Sequence, residues 1–596
     1  MPSYKVPVED YTFIMNDVLK VQERNDIPGY SDLVPDFTEA VLTELAKVCE
    51  DVIAPLNQSG DHEGCTRHED GSVTTPKGFK EAYDTYMENG WGGLSSDPQY
   101  GGQGMPQILS TVKSEILCSA NLAFEMYLGL TQGAMASISM AGSDEQKQKY
   151  LPNMVSGKWT GTMNLTEAHC GTDLGMMRSK AIPQEDGTYK ISGQKIFISA
   201  GEHDLAENII HLVLAKIPGG PEGTKGISLF IVPKYLVNDD GSLGERNGVS
   251  CGSIEEKMGI HGNATCVLNY DEATGYLVGE EHDGLRPMFI MMNAARLGVG
   301  LQGISLAEAA YQNAAEYARD RLQMRSISGV KAPDKPADPI IVHPDVRRNL
   351  MDIRSFVQGS RGVAMWTATK LEESLKHEDE ATRQLADDIV GLMTPVIKGV
   401  FTDLGFESTV QAQQVFGGHG YITEWGMEQF VRDARIAQIY EGTNGIQALD
   451  LVGRKLGRNN GRAIQAYFKL LEDFCKEHDS DDMQEFIEPL KKSVTHLQRA
   501  SLWLMQNGLA NPDNAGAASV AYMHLMGLVA MGHSWVMQVA AAKEMLAAGH
   551  NNPKFLENKI ITARYYMQRM LPDTRAHLSK IEVGADVMMA LAADDF

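Results

Sequence analysis

The sequence predicts a mainly helical α+β protein in which a β domain interrupts a helical chain. Three observations support this fold class. Apolar residues recur at helical spacing on both sides of the middle of the chain, short β-rich segments fill the stretch between, and 596 residues exceed the usual domain length several-fold. We expect an N-terminal extension and helical domain at 1–158, a middle β domain at 159–284, a helical bundle at 285–458 and an additional helical domain at 459–596.

The first domain is predicted from amphipathic spacing. From Pro35 to Leu56 the apolar positions follow a helical period: Phe37, Val41, Leu42, Leu45, Val48, Cys49 and Ile53. Similar stretches continue to about Ser156, and glycine clusters at 90–93 and 101–104 predict loops between the helices. The first quarter of the chain is therefore expected to be mostly helical.

The middle domain is predicted from short segments rich in β-branched and aromatic residues, which Gly, Pro, Asn and Asp separate. These segments are 189–192, 195–199, 209–215, 227–232 and 265–270. Helical periodicity returns near Arg286 and persists to the end of the chain, apart from a proline-rich interruption between Arg325 and Pro344. This interruption predicts a long loop inside the helical bundle.

One generic motif is misleading in its context. Gly298-Val-Gly-Leu-Gln-Gly303 satisfies the glycine pattern of a dinucleotide-binding turn, which needs a preceding strand. The residues on both sides instead have the composition of one long helix. We therefore predict a helix here, in which the glycines permit close contact with another helix. The chain has no phosphate-binding P-loop, no metalloprotease motif and no nucleophile elbow.

Composition excludes several classes of function. The net charge of -25 disfavours a nucleic-acid surface, which needs a concentrated basic face. The seven scattered cysteines have no metal-ligand spacing, the sixteen histidines mostly stand alone, and we predict no metal site. The uncharged stretch 515–542 contains His, Ser, Gln and Gly, so we predict a buried helix rather than a membrane span. The N-terminal residues lack the pattern of a signal peptide, and we expect a cytoplasmic protein.

Three motifs in order resemble the signatures of the acyl-CoA dehydrogenase family. The first is Leu165-Thr-Glu-Ala-His-Cys-Gly-Thr-Asp173, and the second is Gly193-Gln-Lys-Ile-Phe-Ile-Ser-Ala-Gly201. The third runs from Gln414-Val-Phe-Gly-Gly-His-Gly-Tyr421 to Ile439-Tyr-Glu-Gly-Thr-Asn-Gly-Ile-Gln447. The resemblance covers about residues 35 to 458 and implies the fold of that family, with 459–596 as an appended helical domain.

The resemblance implies FAD-dependent α,β-dehydrogenation of an acyl-CoA thioester, with Glu441 as the base that removes the α-proton. Its backbone N–H and a flavin ribitol hydroxyl would bind the thioester oxygen. Some branches of the family carry the base before the arginine of another helix, where this chain has Ala295 before Arg296. Alanine cannot accept a proton, so Glu441 has no rival there, and Arg296 is expected to pack near the base in a supporting role.

The resemblance also implies which residues bind FAD. Leu165 and Thr166 would face the flavin ring, and Thr172 would reach the pyrophosphate. Phe197 replaces the usual tryptophan beside the ring and Ser199 replaces the usual threonine, with ordinary strand packing as the alternative for Phe197. The residues expected to bind FAD across a subunit boundary are Arg321, Gln323, Gln414, Gly417, Gly418 and Thr443. A homodimer or homotetramer follows from this expectation.

The chain continues well past the third motif, as in a long-form bacterial branch of the family that acts in dimethylsulfoniopropionate breakdown. The expected reaction is 3-(methylthio)propanoyl-CoA to 3-(methylthio)acryloyl-CoA. A sulfur and a methylene differ little in size, so a short- or medium-chain acyl-CoA stays open as substrate. An acyl-CoA oxidase, which gives its electrons to oxygen, and a non-catalytic acyl-CoA-binding protein are the alternatives from other classes. The family implies an electron-transfer flavoprotein as electron acceptor.

Overall fold

The computed structural model describes residues 2–596, which fold as two compact units. The bundle unit contains the chain up to Ala46, Pro106–Ser119 and Val299–Phe596, and the sheet unit contains Lys47–Met105 and Ala120–Gly298. Helices dominate, and one large sheet lies in the sheet unit. The mainly helical α+β class predicted from the sequence is confirmed.

The N-terminal part of the chain is mostly helical, as predicted. Its helices are α1 (Val8–Thr12), α2 (Pro35–Val48), α3 (Leu56–Glu63), α4 (Phe79–Glu88), α5 (Gln107–Ala141) and α6 (Asp144–Val155). The sequence did not predict the short hairpin of β1 (Thr66–Arg67) and β2 (Val73–Thr74), because two-residue strands have no detectable periodicity. Helix α6 begins with a capping box, in which Ser143 and Gln146 bind each other's backbone N–H.

The sheet unit contains the remaining strands: β3 (Trp159–Asn164), β4 (Lys180–Pro183), β5 (Tyr189–Ser199), β6 (Asn208–Lys216), β7 (Ile227–Pro233), β8 (Tyr235–Val237), β9 (Leu243–Arg246), β10 (Val249–Ile254) and β11 (Thr265–Val278). Seven of them form one sheet in the order β10-β11-β5-β4-β6-β3, and β7 pairs with β11 and β6. Strands β3 and β6 are parallel, whereas β5 and β11 are antiparallel. The two predicted segments at 189–192 and 195–199 belong to one strand, β5. The strand runs without a break through Gly193, which has a φ of +148°.

Successive side chains of β6 enter different apolar clusters. Leu212 and Leu214 pack with one cluster, and Val213 and Ala215 pack with the other. A strand buried on both faces has an almost continuous apolar sequence. This explains why β6 was recognisable as a strand although its residues do not alternate between apolar and polar.

The helical bundle contains α7 (Leu285–Asp320), α8 (Pro344–Lys376), α9 (Glu380–Val415), α10 (Met427–Arg435) and α11 (Asn444–Asp450). The glycine motif at 298–303 lies inside α7, so the predicted helix is confirmed. A Cβ on Gly300 would lie 2.4 Å from Ile397 Cγ2, and one on Gly303 would lie 2.2 Å from the carbonyl oxygen of Phe401. The glycines therefore bring the backbone of α7 against α9.

The C-terminal residues form five further helices, as predicted: α12 (Arg462–Glu477), α13 (Gln484–Asn507), α14 (Pro512–Ala548), α15 (Pro553–Arg569) and α16 (Thr574–Glu582). Within residues 2–596, α9 and α14 are long and apolar enough to cross a membrane, but 72% and 67% of their most apolar windows are buried in the protein. The buried helix predicted at 515–542 is the middle of α14.

A buried cluster of charges joins distant parts of the bundle unit. Arg361 Nε lies 2.8 Å from a carboxylate oxygen of Glu115, Arg361 Nη2 lies 2.9 Å from Glu308, and the guanidinium also contacts Asp10. Lys559 binds the other oxygen of Asp10. The side chains of Arg361 and Lys559 are fully buried. The N-terminal extension and helix α15 are thereby tied to the bundle through α8.

Candidate active site

Glu441 lies in a tight turn between α10 and α11. Its φ is +57°, and the next residue, Gly442, has φ +84°, so two consecutive residues adopt the left-handed conformation. Glycine does so freely, whereas a glutamate is strained by roughly 1 kcal/mol. Thr443 then caps α11, where its Oγ1 accepts the N–H of Ile446 at 3.4 Å. A strained residue of this kind is typical of a functional site.

Side chains from the bundle hold the carbonyl groups of this turn. Gln447 Nε2 donates to the carbonyl oxygens of Glu441 and Gly442 at 3.0 and 3.2 Å. Lys398 Nζ donates to the carbonyl of Gly442 at 2.7 Å and to Asn444 Oδ1 at 2.8 Å. Lys398 and Gln447 are fully buried. These hydrogen bonds offset the backbone strain and hold the backbone of the Glu441 turn in one conformation.

The preceding residue, Tyr440, is held as well, because its hydroxyl donates to Gln302 Oε1 on α7. Sequence reasoning missed all of these supporting residues. Asn444 and Gln447 stand within the third motif, so the motif itself was their signal. Lys398 had a weaker signal, which was a charge inside the apolar segment Pro395-Val-Ile-Lys-Gly-Val-Phe401.

The segment that follows α9 carries three of the expected FAD contacts. Gln414 lies in the last turn of the helix, Gly417 and Gly418 come just after it, and all three residues are exposed. A Cβ on either glycine would meet nothing within 4 Å. Beneath the glycines, the rings of Tyr317 and Phe416 stack at 4.1 Å, and the Tyr317 hydroxyl bonds to His419. Because Gly417 and Gly418 have no side chains and have open space beside them, a ligand could approach their backbone closely.

Arg321 and Gln323 follow the end of α7, and both residues are exposed. The long loop beyond them is organised by Asp338, whose carboxylate accepts the N–H groups of Ser326, Lys331 and Ala332 at 2.7 to 3.0 Å. Burial alone would raise the pKa of Asp338, but these donors and Arg325 lower it to about 2. The loop predicted between Arg325 and Pro344 is confirmed, and it is ordered.

In the sheet unit, Leu165 and Thr166 follow β3 and are half-buried. Lys195 Nζ donates to the carbonyl of Leu165 at 3.0 Å and to Glu167 Oε1 at 2.9 Å. Glu167 also accepts two backbone N–H groups, those of Arg178 and Ser179. A buried ion pair thus fastens the Leu165–Thr166 segment to β5.

The Glu167 carboxylate predicts acid sensitivity of the sheet unit. Burial tends to raise its pKa, but Lys195 and the two backbone N–H groups lower the pKa from 4.5 to about 2. Because the pKa is lower in the folded state than in the unfolded chain, the added stability is present above pH 4.5 and is lost as the pH falls towards 2. The contribution to stability is about 2 to 3 kcal/mol. It is smaller than the shift of Glu167 alone would give, because burial lowers the pKa of Lys195 and so disfavours the charged partner.

The thermal midpoint, measured between pH 6 and pH 3, should therefore fall more steeply for the wild type than for Glu167→Gln. Glu185→Gln, at an exposed position, should follow the wild type. Parallel curves for the wild type and Glu167→Gln would contradict this assignment.

A β-bulge exposes the ring of Phe197. Strand β5 pairs Ile198 with Cys266 and Lys195 with Leu268, so two residues of β5 oppose one residue of β11. Phe197 has φ +59° within this bulge, and 60% of its surface is exposed. A bulge can redirect a side chain, and here it turns an aromatic ring outward. Ordinary strand packing does not explain this ring.

The other two residues expected near the flavin in this unit differ in their setting. Ser199 pairs with Thr265 of β11 and is half-buried. Thr172 is exposed in the loop after β3.

Arg296 lies on α7 with 6% of its surface exposed, and its role beside the proposed base stays a prediction. Glu167, His169 and Cys170 could approach one metal ion, but the bonds of Glu167 account for their proximity and we assign no metal.

The residues present fit a flavin dinucleotide. An exposed aromatic ring at Phe197 suits stacking, and the hydroxyl groups of Thr166, Thr172 and Ser199 suit hydrogen bonding to a flavin ring and a phosphate. Taken by itself in the bundle unit, exposed Arg321 has a guanidinium that suits a pyrophosphate. We therefore regard these side chains as the candidate FAD contacts, and their individual roles stay predictions.

Four family models match the chain. They are described as acyl-CoA dehydrogenase, N-terminal domain (36–158), middle domain (162–273) and C-terminal domain (282–456), and as acetyl-CoA dehydrogenase C-terminal like (467–592). The last of these matches the helices that follow the third motif.

The chain is also similar to whole proteins. It is 41% identical to 3-methylmercaptopropionyl-CoA dehydrogenase of Ruegeria pomeroyi, over 98% of this chain and 99% of that one. It is 34% identical to a butyryl-CoA dehydrogenase of Syntrophomonas wolfei subsp. wolfei, over 98% and 97%. Among solved structures, the acyl-CoA dehydrogenase of Bacillus anthracis complexed with FAD matches with a TM-score of 0.74 and 19% identity, over 96% and 91%.

Proposed function

Because the chain belongs to the acyl-CoA dehydrogenase family and uses FAD to oxidise acyl-CoA, we propose that it converts 3-(methylthio)propanoyl-CoA to 3-(methylthio)acryloyl-CoA with Glu441 as the base. One observation carries the assignment of the base. Glu441 has a strained left-handed φ of +57° in a turn whose carbonyl groups are held by buried Lys398 and Gln447. Backbone strain of this kind concentrates at functional sites, and here buried side chains hold the strained turn in place.

In the proposed reaction, the Glu441 carboxylate accepts the α-proton of the thioester while the β-carbon loses a hydride. The electron pair of the α C–H bond becomes the new Cα=Cβ double bond. When bound, FAD supplies the acceptor of the hydride, which no protein side chain can provide. The N–H of Glu441 is the proposed donor to the thioester oxygen, where it stabilises the developing negative charge.

The substrate is proposed from the whole-length similarity. The relative named for 3-methylmercaptopropionyl-CoA shares 41% of its residues with this chain, against 34% for the relative named for butyryl-CoA. Because a thioether sulfur resembles a methylene in size and polarity, butyryl-CoA and octanoyl-CoA are the competing substrates. An acyl-CoA oxidase would share the same base, and it differs in the rapid reaction of its reduced flavin with oxygen.

The proposal is tested by anaerobic titration of the FAD-loaded protein with 3-(methylthio)propanoyl-CoA, butyryl-CoA and octanoyl-CoA. We expect all three to reduce the flavin visibly, and the first to give the highest kcat/KM. A higher kcat/KM for butyryl-CoA would replace the substrate assignment. A flavin that no acyl-CoA reduces would overturn the proposed function.

The remaining parts of the proposal concern partners. Arg321, Gln323, Gln414 and the glycines at 417 and 418 are exposed in this chain, as residues that complete a neighbour's FAD site should be. We therefore propose a homodimer or homotetramer.

We also propose an electron-transfer flavoprotein as electron acceptor, as the family implies, and a cytoplasmic location. The seven cysteines are free among residues 2–596, which suits a reducing compartment. Light scattering on the purified protein and stopped-flow oxygen reactivity would test the assembly and the oxidase alternative.

A further inference from the structure

A single carboxylate, Asp403 on α9, holds both ends of the segment that carries Glu441. Its Oδ1 accepts Gln438 Nε2 at 2.7 Å and Asn444 Nδ2 at 2.7 Å. Gln438 stands three residues before Glu441, and Asn444 stands three residues after it. The position of the base therefore depends on where the Asp403 side chain lies.

The second oxygen of Asp403 is bound from the C-terminal helices. His524 Nε2 on α14 lies 2.9 Å from Asp403 Oδ2. Burial tends to raise the pKa of Asp403, but His524, Gln438 and Asn444 lower it below its ordinary value. An ionised carboxylate can only accept hydrogen bonds, so His524 is the donor. The imidazole also stacks on His577, with ring centroids 5.6 Å apart and ring planes 19° from parallel.

Close packing sets the position of α14 against α9 at this level. A Cβ on Gly399 would lie 2.4 Å from Met523 Cε, and one on Gly527 would lie 2.8 Å from Val400 Cγ1. The carbonyl of the same Gly399 accepts Asn444 Nδ2 at 3.1 Å. The residue next to His524 thus packs on the backbone that also holds the turn, so α14 cannot shift without disturbing the Asp403 network.

We propose that His524 is a positioning residue for the reaction, through which the C-terminal helices hold Asp403 and thereby the Glu441 turn. The proposal rests on the role of Glu441 as the base. It assigns a function to the 459–596 segment, which neither the motifs nor composition had explained. In this proposal His524 acts through Asp403, which in turn binds Gln438 and Asn444.

The test compares His524→Leu, which removes the donor, with His524→Gln, whose amide can donate in place of Nε2. The imidazole lines a cavity of about 210 Å³, so either side chain can be accommodated. His533→Leu is the matched control, because His533 is buried on the same helix against Phe474 and Trp366 instead. For each FAD-loaded variant, kcat, KM, the thermal midpoint and the hydrogen exchange of the 436–447 peptide are measured.

We expect His524→Leu to lower kcat by about 10- to 100-fold with little change in KM, because displacement of a catalytic group acts mainly on the chemical step. Its 436–447 peptide should exchange faster than in the wild type, and His524→Gln should restore both properties. His533→Leu should lower the thermal midpoint without either effect. Should His524→Leu fail to fold, Asp403→Asn tests the same network, and the same loss of protection is expected.

An unchanged kcat and unchanged exchange in His524→Leu would overturn the proposal. So would an equal loss in His533→Leu, which would indicate a general effect of the helix. The exchange measurement needs no turnover, so it separates this inference from the proposed function. If no acyl-CoA reduces the wild type, the proposed function fails, whereas the exchange data still decide whether His524 holds the turn.

Discussion

Glu441→Gln is expected to keep the fold and FAD but to lower the rate of flavin reduction by acyl-CoA about 10³- to 10⁴-fold. The amide has nearly the same shape as the carboxylate and leaves the backbone contacts of the turn with Lys398 and Gln447 in place. It cannot accept the α-proton, however, and a positioned general base contributes up to about 10⁴-fold to a proton transfer. Anaerobic stopped-flow absorbance of the flavin measures this rate directly.

A second substitution separates the chemistry from the backbone strain. Glu441→Gly removes a Cβ from a residue with φ +57°, so the turn should be at least as stable as in the wild type while the reaction is lost. Glu424→Gln, at an exposed residue of the same bundle, is the control and should react like the wild type. Reduction of the Gln variant at the wild-type rate would remove Glu441 from the mechanism.

Arg361→Met is expected to destabilise the bundle unit by about 3 to 5 kcal/mol. The guanidinium is fully buried and contacts the carboxylates of Asp10, Glu115 and Glu308, and it also stacks on the ring of Tyr11 at 4.6 Å. Without it, Glu115 and Glu308 would lose the guanidinium that pairs with them, and Asp10 would keep Lys559. Removing one partner from a buried ionic cluster costs far more than the cluster contributes as a whole, because the remaining charges are left desolvated.

The thermal midpoint at a fixed scan rate is the appropriate measurement, because a chain of this size is not expected to unfold in two states. Arg348→Met is the matched control, since Arg348 pairs with Asp345 and Asp352 at the surface with 41% of its side chain exposed. Its effect should stay below about 1 kcal/mol. A midpoint of Arg361→Met as high as that of Arg348→Met would show that the buried cluster does not stabilise the N-terminal extension.

The long strands and helices could be predicted because their signals are local. Strands β5, β6, β7 and β11 contain β-rich runs that need no knowledge of their partners. The segment Trp159–Asn164 has few β-branched residues, and it is a strand because it pairs in parallel with β6 along its whole length. Two-residue strands such as β1 and β2 pair with each other, and they also contact the large sheet, where Val73 packs in an apolar cluster and Arg67 donates to the carbonyl of Cys251. Their formation depends on tertiary contacts rather than on local propensity.

For the candidate site, the sequence motifs located Glu441, Phe197 and the glycines at 417 and 418, because the order and spacing of those residues carry the resemblance. The motifs could not predict that Glu441 has φ +57° or that a bulge turns Phe197 outward. Both features depend on how neighbouring segments pair and pack. They are consequences of the folded backbone, and side-chain identity alone does not specify them.

By itself, the amino-acid sequence determined the fold class and the family and pointed to Glu441 as the proposed base, because periodicity and motif order are properties of neighbouring residues. Only the tertiary structure decided which side chains support that base. Asp403 and His524 are 121 residues apart, and each is one polar residue among many in long helices. Half-buried polar side chains such as these gain stability from a hydrogen-bond partner, and the fold alone brings these two partners together.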